Sequence, residues 1–252
     1  MPTSPKIRLD QLLVEQGLAP DIKEASALVM AGKVSLTADK RSPTPGMQVR
    51  SDIVVEIAPE KRFVSRGGEK LARALEVFEF DVSGFTCLDV GASTGGFTDC
   101  LLQAGASRIY AVDTGRGQLH QKLRSDERVV NMERTNLVDG TGLPDPVKVD
   151  LVVADVSFTS LSAVLPTAFD QLVEGGHAIV LLKPQFEAKK REVPRGGVVT
   201  SLETHAAVIG RFVKWAGDSN VRIRNLVSSG ILGDKGNREF LLHLQVPGNT
   251  GD

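Results

Sequence analysis

The sequence predicts an α/β protein, a parallel sheet covered by helices on both faces, preceded by a small α+β unit. Three observations carry that prediction. Beyond residue 85, apolar strand-like runs alternate with stretches of helical periodicity. The run Thr86 to Val90 enters a turn, Gly91-Ala92-Ser93-Thr94-Gly95-Gly96, that opens a helix. Residues 7 to 60 follow another rhythm, two short helical patterns and then alternating strands.

In chain order, Ile7, Leu9, Leu12 and Leu13 fall at helical spacing, and Gly17 stops that helix. Asp21 and Glu24 read as a capping box for a second helix with Ala25, Leu28 and Val29 inward, ended by Gly32. Val34 and Leu36 alternate as one strand; Ile53, Val55 and Ile57 alternate as another. Residues 61–69 are charged and contain adjacent glycines, so they read as a linker between a unit 1–60 and a unit 70–252. Ser65 is placed to cap a helix with the stripe Leu71, Ala74, Leu75 and Phe78. Strands are then expected at 86–90, 108–112, 128–131, 150–154 and 177–182, with helices near 95–105, 116–125, 160–172 and 202–216. Arg222 to Ser229 and Glu239 to Val246 are joined by a polar loop and no helix, so they should close the sheet as an antiparallel pair. The last six residues read as a frayed end.

Composition bounds the function. The 252 residues are 41% hydrophobic and 24% charged, which is ordinary for a soluble protein with one full domain and a small one. A net charge of −1 gives no whole-chain attraction for nucleic acid, so any basic surface is local. Cys87 and Cys100 lie in apolar settings and read as buried thiols of a reducing compartment. The four histidines have no metal spacing, and no metal is expected. The N-terminus lacks a signal peptide, and the longest apolar run, Ala178 to Leu182, is far too short for a membrane span. A cytoplasmic protein with no membrane partner is therefore expected, and the oligomeric state leaves no signature.

The glycine turn is a candidate ligand site. Gly91 has no Cβ to hold a ligand off, and Gly95 and Gly96 open a helix whose N–H groups and positive dipole end favour an anionic or polar ligand. Asp113 ends the next strand, where an acidic residue about 20 positions on commonly binds ribose hydroxyls. Asn136 lies near an adenine or in an ordinary turn. Charges also emerge where strands end: Asp155 after Leu151-Val152-Val153-Ala154, Lys183 after Ile179-Val180-Leu181-Leu182, and Glu239 opening the last strand. Lys70 lies on the helix before the sheet. Singly, each reads equally well as a solvated strand-end charge. Residues 183–195 hold five Lys/Arg against two Asp/Glu, a basic rim or a solvated loop.

The spacing D-x-G-x-x-x-G-G-F-T at Asp89 to Thr98 resembles the S-adenosylmethionine turn of the FtsJ-like RNA methyltransferases. "RFVSRGGEKL", "VADVSF", "LLKPQFE" and "GNREF" are similar to the TlyA family of ribosomal RNA methyltransferases. "RLDQLLVEQGLA" and "AGKVSL" resemble the S4 RNA-binding domain, with departures at Asp21-Ile22-Lys23 and at Leu36-Thr37-Ala38-Asp39-Lys40. The resemblance implies a Rossmann-like methyltransferase sheet behind an S4-like domain, with S-adenosylmethionine as cofactor. It implies 2′-O-methylation of a ribose, a cytidine in that family, in ribosomal RNA of the small or large subunit. Lys70, Asp155, Lys183 and Glu239 then match a K-D-K-E catalytic tetrad. Asp89, Gly91, Ala92, Ser93, Gly95, Gly96, Phe97, Asp113, Asn136 and Asp155 would hold the cofactor. Arg8, Lys23, Lys33, Arg62, Arg66, Lys189 and Lys190 would contact RNA. A ribose hydroxyl is a weak acid and needs a base. Lys183 is expected as that base, with burial and the Lys70 cation favouring its neutral form and the carboxylates orienting it. Phe186 is a base-stacking residue or a core phenylalanine. The rivals are a non-catalytic RNA-binding or ribosome-binding protein and a membrane-active haemolysin; no cationic amphipathic helix supports the latter.

Overall fold

The computed structural model describes residues 4–37, 41–58, 61–139 and 148–248. The chain separates into two compact units, Met1–Lys61 and Arg62–Asp252.

In the first unit, β1 (Lys6–Arg8) leads into α1 (Leu9–Glu15) and α2 (Ile22–Met30), followed by β2 (Val34–Leu36), β3 (Gln48–Arg50) and β4 (Val55–Ile57). β1 pairs with β3 and β2 with β4, both antiparallel. Leu9, Leu12, Leu13, Ala25, Val29, Val34, Leu36 and Val49 form its core. Asp21 caps α2 by accepting from the Glu24 amide at 2.8 Å. Ile7 belongs to a strand, not to the first helix as its spacing suggested. The departure at Ala38 to Lys40 and residues 249–252 of the expected frayed end lie outside the described residues.

The second unit is a seven-stranded sheet with helices on both faces. Its elements are α3 (Arg66–Val77), β5 (Thr86–Val90), α4 (Gly96–Gln103), β6 (Arg108–Asp113), α5 (Gln121–Arg124), β7 (Val129–Glu133), β8 (Val149–Ala154), α6 (Leu161–Phe169), β9 (Leu172–Leu182), α7 (Pro184–Glu187), α8 (Leu202–Asp218), β10 (Arg222–Ser228) and β11 (Phe240–Gln245). The strand order is β10-β11-β9-β8-β5-β6-β7, and β11 runs antiparallel to both its neighbours. Alternate residues of one strand feed opposite faces: Val152 and Ala154 pack under α6 and α8, while Leu151 and Val153 pack under α3 and α4. Strands buried on both faces read as unbroken apolar runs, which is why the sequence marked them.

Three expectations change. Most of residues 61–69 belongs to the larger unit: Phe63 is 3% exposed, the Val64 amide donates to Asp99, and α3 starts at Arg66. Ser65 is the N-cap residue of α3, but its side chain makes no capping bond. The helix expected over 116–125 shrinks to α5, because the Glu133 carboxylate gathers the amides of Gln118 and Leu119 and the Arg124 guanidinium. Backbone donors, the Gly117 amide first, hold that carboxyl down at about 2.

The fold brings together two histidines that lie far apart in sequence. His177 and His243 share a hydrogen bond of 2.9 Å, and both rings pack on Phe80. Burial, then the neighbouring charges of His177 and Arg224, pushes His243 down to about 4. The folded form thus binds fewer protons than the unfolded form between pH about 6.5 and about 4, so stability should fall as pH drops through that window. Urea midpoints at pH 7 and 4.5 measure this, and His243→Phe should flatten the decline. Among the described residues, no helix is long and apolar enough to cross a membrane, and no His/Cys/Asp/Glu cluster could hold a metal.

Candidate active site

The strand order reverses between β8 and β5, so a crevice opens at the carboxyl ends of these strands. The glycine turn sits there, built into the sheet by its own amides. Gly91 and Ala92 donate to the Val112 carbonyl at 2.8 and 3.1 Å, and Ser93 donates to the Asp113 carboxylate at 2.8 Å. Asp113 also accepts from the Gly115 amide at 2.6 Å. Its carboxylate therefore fixes both walls of the crevice and still has acceptor capacity. Gly91 has φ 82°, and a Cβ there would stand 2.7 Å from the Asp155 carbonyl oxygen. Gly95 has φ 96°, and a Cβ there would stand 2.2 Å from Leu123. Both glycines make room for protein atoms first.

Asp89 is fully buried below the turn and accepts from the Thr98 hydroxyl at 2.6 Å. Burial pushes its carboxyl up to about 7. Asp89 is thus held beside Thr98, and Gly95 packs against Leu123, while Gly91, Ala92, Ser93, Gly96 and Phe97 line the clefts. Asp89 and Gly95 shape the turn from behind.

Two adjoining clefts share Gly91, Ser93, Asp155 and Ser157. The first, about 600 Å³, is walled by Val112, Leu137 and Val156, with Asp113 and Asn136 as polar contacts. Asn136 also closes its own turn by accepting from the Val138 amide at 3.1 Å. The second, about 270 Å³, holds Lys70, Asp155, Lys183 and Glu239 together with Ala92, Gly96 and Phe97. A larger groove, about 710 Å³, lies at the opposite end of the strands near Arg222 and Arg224 and holds none of the expected site residues.

The four charges form two ion pairs. Lys70 Nζ lies 2.5 Å from Glu239 Oε2, with the two side chains 9% and 3% exposed. Lys183 Nζ lies 2.5 Å from Asp155 Oδ1 and donates to Ser157 Oγ at 3.0 Å. Lys70 does not stand in the cleft as a bare cation: Glu239 matches its charge, as Asp155 matches that of Lys183. Removing one partner of so buried a pair leaves an uncompensated charge. Lys70→Ala should therefore destabilise the fold by about 3–5 kcal/mol, as urea unfolding would measure.

The loops that carry these groups are themselves pinned. Lys183 is the N-cap residue of α7, and Glu187 at the far end of α7 accepts from Ser160 Oγ at 2.6 Å and from the Leu161 amide at 2.7 Å. That clamp joins the Lys183 segment to the Asp155 segment. Phe158 is 92% exposed with φ 64°, and its ring centroid lies 5.2 Å from that of the partly buried Phe186. Lys183 Nζ stands 5.8 Å from the Phe186 centroid. Sequence reasoning missed Ser157 and Phe158; their signal was position, two and three residues past a charged strand end.

The expected RNA-contacting residues scatter. Arg8 is held by the buried Asp10 through bonds of 3.0 and 2.6 Å, so its charge is matched inside the small unit. Lys23 is exposed and Lys33 partly buried. Arg62 lies over the Phe63 ring at 4.7 Å. Arg66 pairs with Asp234, and both line the second cleft. Lys189 and Lys190 are exposed on the loop after α7.

Comparison with known proteins agrees with this architecture. The family model for FtsJ-like methyltransferases matches residues 63–246. The 16S/23S rRNA (cytidine-2′-O)-methyltransferase TlyA of Mycobacterium tuberculosis is 39% identical over 96% of this chain and 90% of its own length. Hemolysin A of Brachyspira hyodysenteriae is 35% identical over 95% of this chain and 100% of its own. A solved S-adenosylmethionine-dependent methyltransferase from Mesorhizobium loti, 16% identical, shares the fold with a TM-score of 0.51 over 69% of this chain and 96% of its own. The chain belongs to the FtsJ-like methyltransferases, in the group that holds TlyA and hemolysin A.

Proposed function

We propose that this chain methylates the 2′-hydroxyl of a ribose, a cytidine by analogy with its mycobacterial relative, in ribosomal RNA, using S-adenosylmethionine. The observation that carries this reading is the convergence of two lysine–carboxylate pairs in one cleft that shares a wall with a nucleoside-sized cleft.

The residues fit the cofactor. The first cleft offers apolar walls for an adenine, Asn136 at its edge, and Asp113 acceptor capacity for ribose hydroxyls. The shared wall of Gly91, Ser93 and Asp155 leads to the second cleft. When bound, the cofactor supplies an electrophilic methyl group on a sulfonium.

Everything else falls to the protein. The Lys183 ammonium that pairs with Asp155 first releases a proton to solvent, and its Nζ then takes the 2′-hydroxyl proton as the ribose oxygen attacks. Asp155 and Ser157 aim that nitrogen, and Glu187 fixes the segment that bears it. Lys70 and Glu239 line the other side of the cleft and hold the ribose in line, and alignment of this kind supplies much of a rate enhancement. Phe158 and Phe186 offer ring faces to an unstacked nucleobase. Arg66 at this cleft and Lys189 and Lys190 on the loop after α7 serve as phosphate contacts. The first unit, with its two helices and short strand pairs, acts as an S4-like RNA-binding domain through surface residues such as Lys23. Ribosomal subunits are the partner, and the cytoplasm is the place of action.

The reading is tested by incubating the full chain with methyl-labelled S-adenosylmethionine and separated ribosomal subunits. Label should appear in the RNA of at least one subunit. A chain that binds the cofactor and transfers nothing to either subunit contradicts the reading.

A further inference from the structure

Two loops far apart in sequence meet at one side chain. Residues 188–200 carry Lys189, Lys190, Arg191 and Arg195, all four exposed. Residues 229–239 end on Glu239. Between them, Asn237 is 2% exposed. Its Oδ1 accepts from the Val199 amide at 2.8 Å, and its Nδ2 donates to the Gly197 carbonyl at 2.9 Å. Its own carbonyl accepts from the Gly233 amide at 2.9 Å, closing the loop that delivers Glu239. The basic loop is otherwise steadied from α8, where Arg211 bonds Glu192 at 2.7 Å and His205 bonds the Val199 carbonyl at 2.9 Å.

We infer that Asn237 is a positioning residue for RNA: it sets the basic loop in register with the Lys70–Glu239 side of the cleft. Phosphates gripped by the loop then place the target ribose at the reacting atoms. The inference rests on the RNA-methylating reading above. The chemistry needs a carboxamide. Asn237 must accept from one amide and donate to one carbonyl of the same loop, two residues apart. Aspartate keeps the acceptor but faces the Gly197 carbonyl with a second oxygen, and alanine keeps neither bond.

The test uses the full chain as wild type, Asn237→Asp, Asn237→Ala, Lys189→Ala/Lys190→Ala, and that pair combined with Asn237→Asp. Methylation kinetics and binding to the subunit that the wild type methylates are measured between about 50 and 200 mM salt, where removing one lysine–phosphate ion pair flattens the slope of log affinity on log salt by about 1 or less. Both Asn237 variants should raise KM for RNA about tenfold, a loss of about 1.4 kcal/mol, with kcat and cofactor affinity little changed. The salt slope should flatten as it does in the lysine pair, and the combined variant should be no weaker than that pair. Wild-type RNA affinity and slope in Asn237→Asp would overturn the inference. So would losses that simply add to those of the lysine pair, or a parallel fall in cofactor affinity and thermal stability. If alanine unfolds the chain, the isosteric aspartate decides. Failure of the wild type to methylate either subunit would instead sink the functional reading, and that arm is measured first.

Discussion

Lys183→Ala is expected to slow single-turnover methyl transfer by about 10²–10⁴, the usual effect of removing a general base, while cofactor affinity stays at the wild-type value. The side chain sits where the loss should be cleanest. It emerges from the carboxyl end of β9, its backbone is stiffened by Pro184, and its nitrogen pairs with Asp155 and donates to Ser157. Lys183→Arg separates two roles. Arginine keeps the cation and could still hold a phosphate or pair with Asp155, but it does not deprotonate in a protein. A base role makes the arginine variant nearly as slow as alanine. An arginine variant that keeps most of the wild-type rate would assign Lys183 to electrostatics and move the proton elsewhere.

Asp113→Ala should weaken cofactor binding about ten- to a hundredfold, corresponding to about 1.5–3 kcal/mol for removal of a charge-assisted hydrogen bond. The structure adds a reason to expect the upper end. The same carboxylate holds the amides of Ser93 and Gly115, so its removal loosens the glycine turn as well as the grip on the ribose. Calorimetric titration measures the affinity. Asp113→Asn, which keeps one acceptor oxygen, should fall between wild type and alanine, and an unchanged affinity in both variants would remove Asp113 from the cofactor site.

Much of the larger unit was legible because its strands are buried on both faces and its charges stand at strand ends. Asp155, Lys183 and Glu239 each follow or open an apolar run, and the topology carries them into one cleft. What stayed hidden is of another kind. β1 and β3 carry one apolar residue each, Ile7 and Val49, so they show no alternation. β9 begins at Leu172, earlier than expected, because its Gly175-Gly176 pair reads as a turn while the backbone runs through it with a shift of register. Gly67 and Gly68 read as part of a linker. Instead they lie in the first turn of α3, where a Cβ on Gly68 would stand 2.3 Å from Phe63. Tight packing and flexibility use the same residue, and only coordinates tell them apart. Asp89 and Gly95 belong to the recognisable turn, yet they support it from behind. Ser157 and Asn237 escape for the opposite reason: their partners are 26 to 40 residues away, and such bonds leave no periodic trace.

The central claim is that this cleft delivers a methyl group to a ribose oxygen, and the position of the transferred group tests it most directly. RNA labelled by the wild-type chain is digested to nucleosides and also hydrolysed in alkali, which cannot cleave the linkage after a 2′-O-methylated ribose. The account requires the label on the ribose, in an alkali-stable dinucleotide, appearing about 10²–10⁴-fold more slowly when Lys183→Ala is used. Label on a nucleobase, or in mononucleotides after alkali, would contradict it.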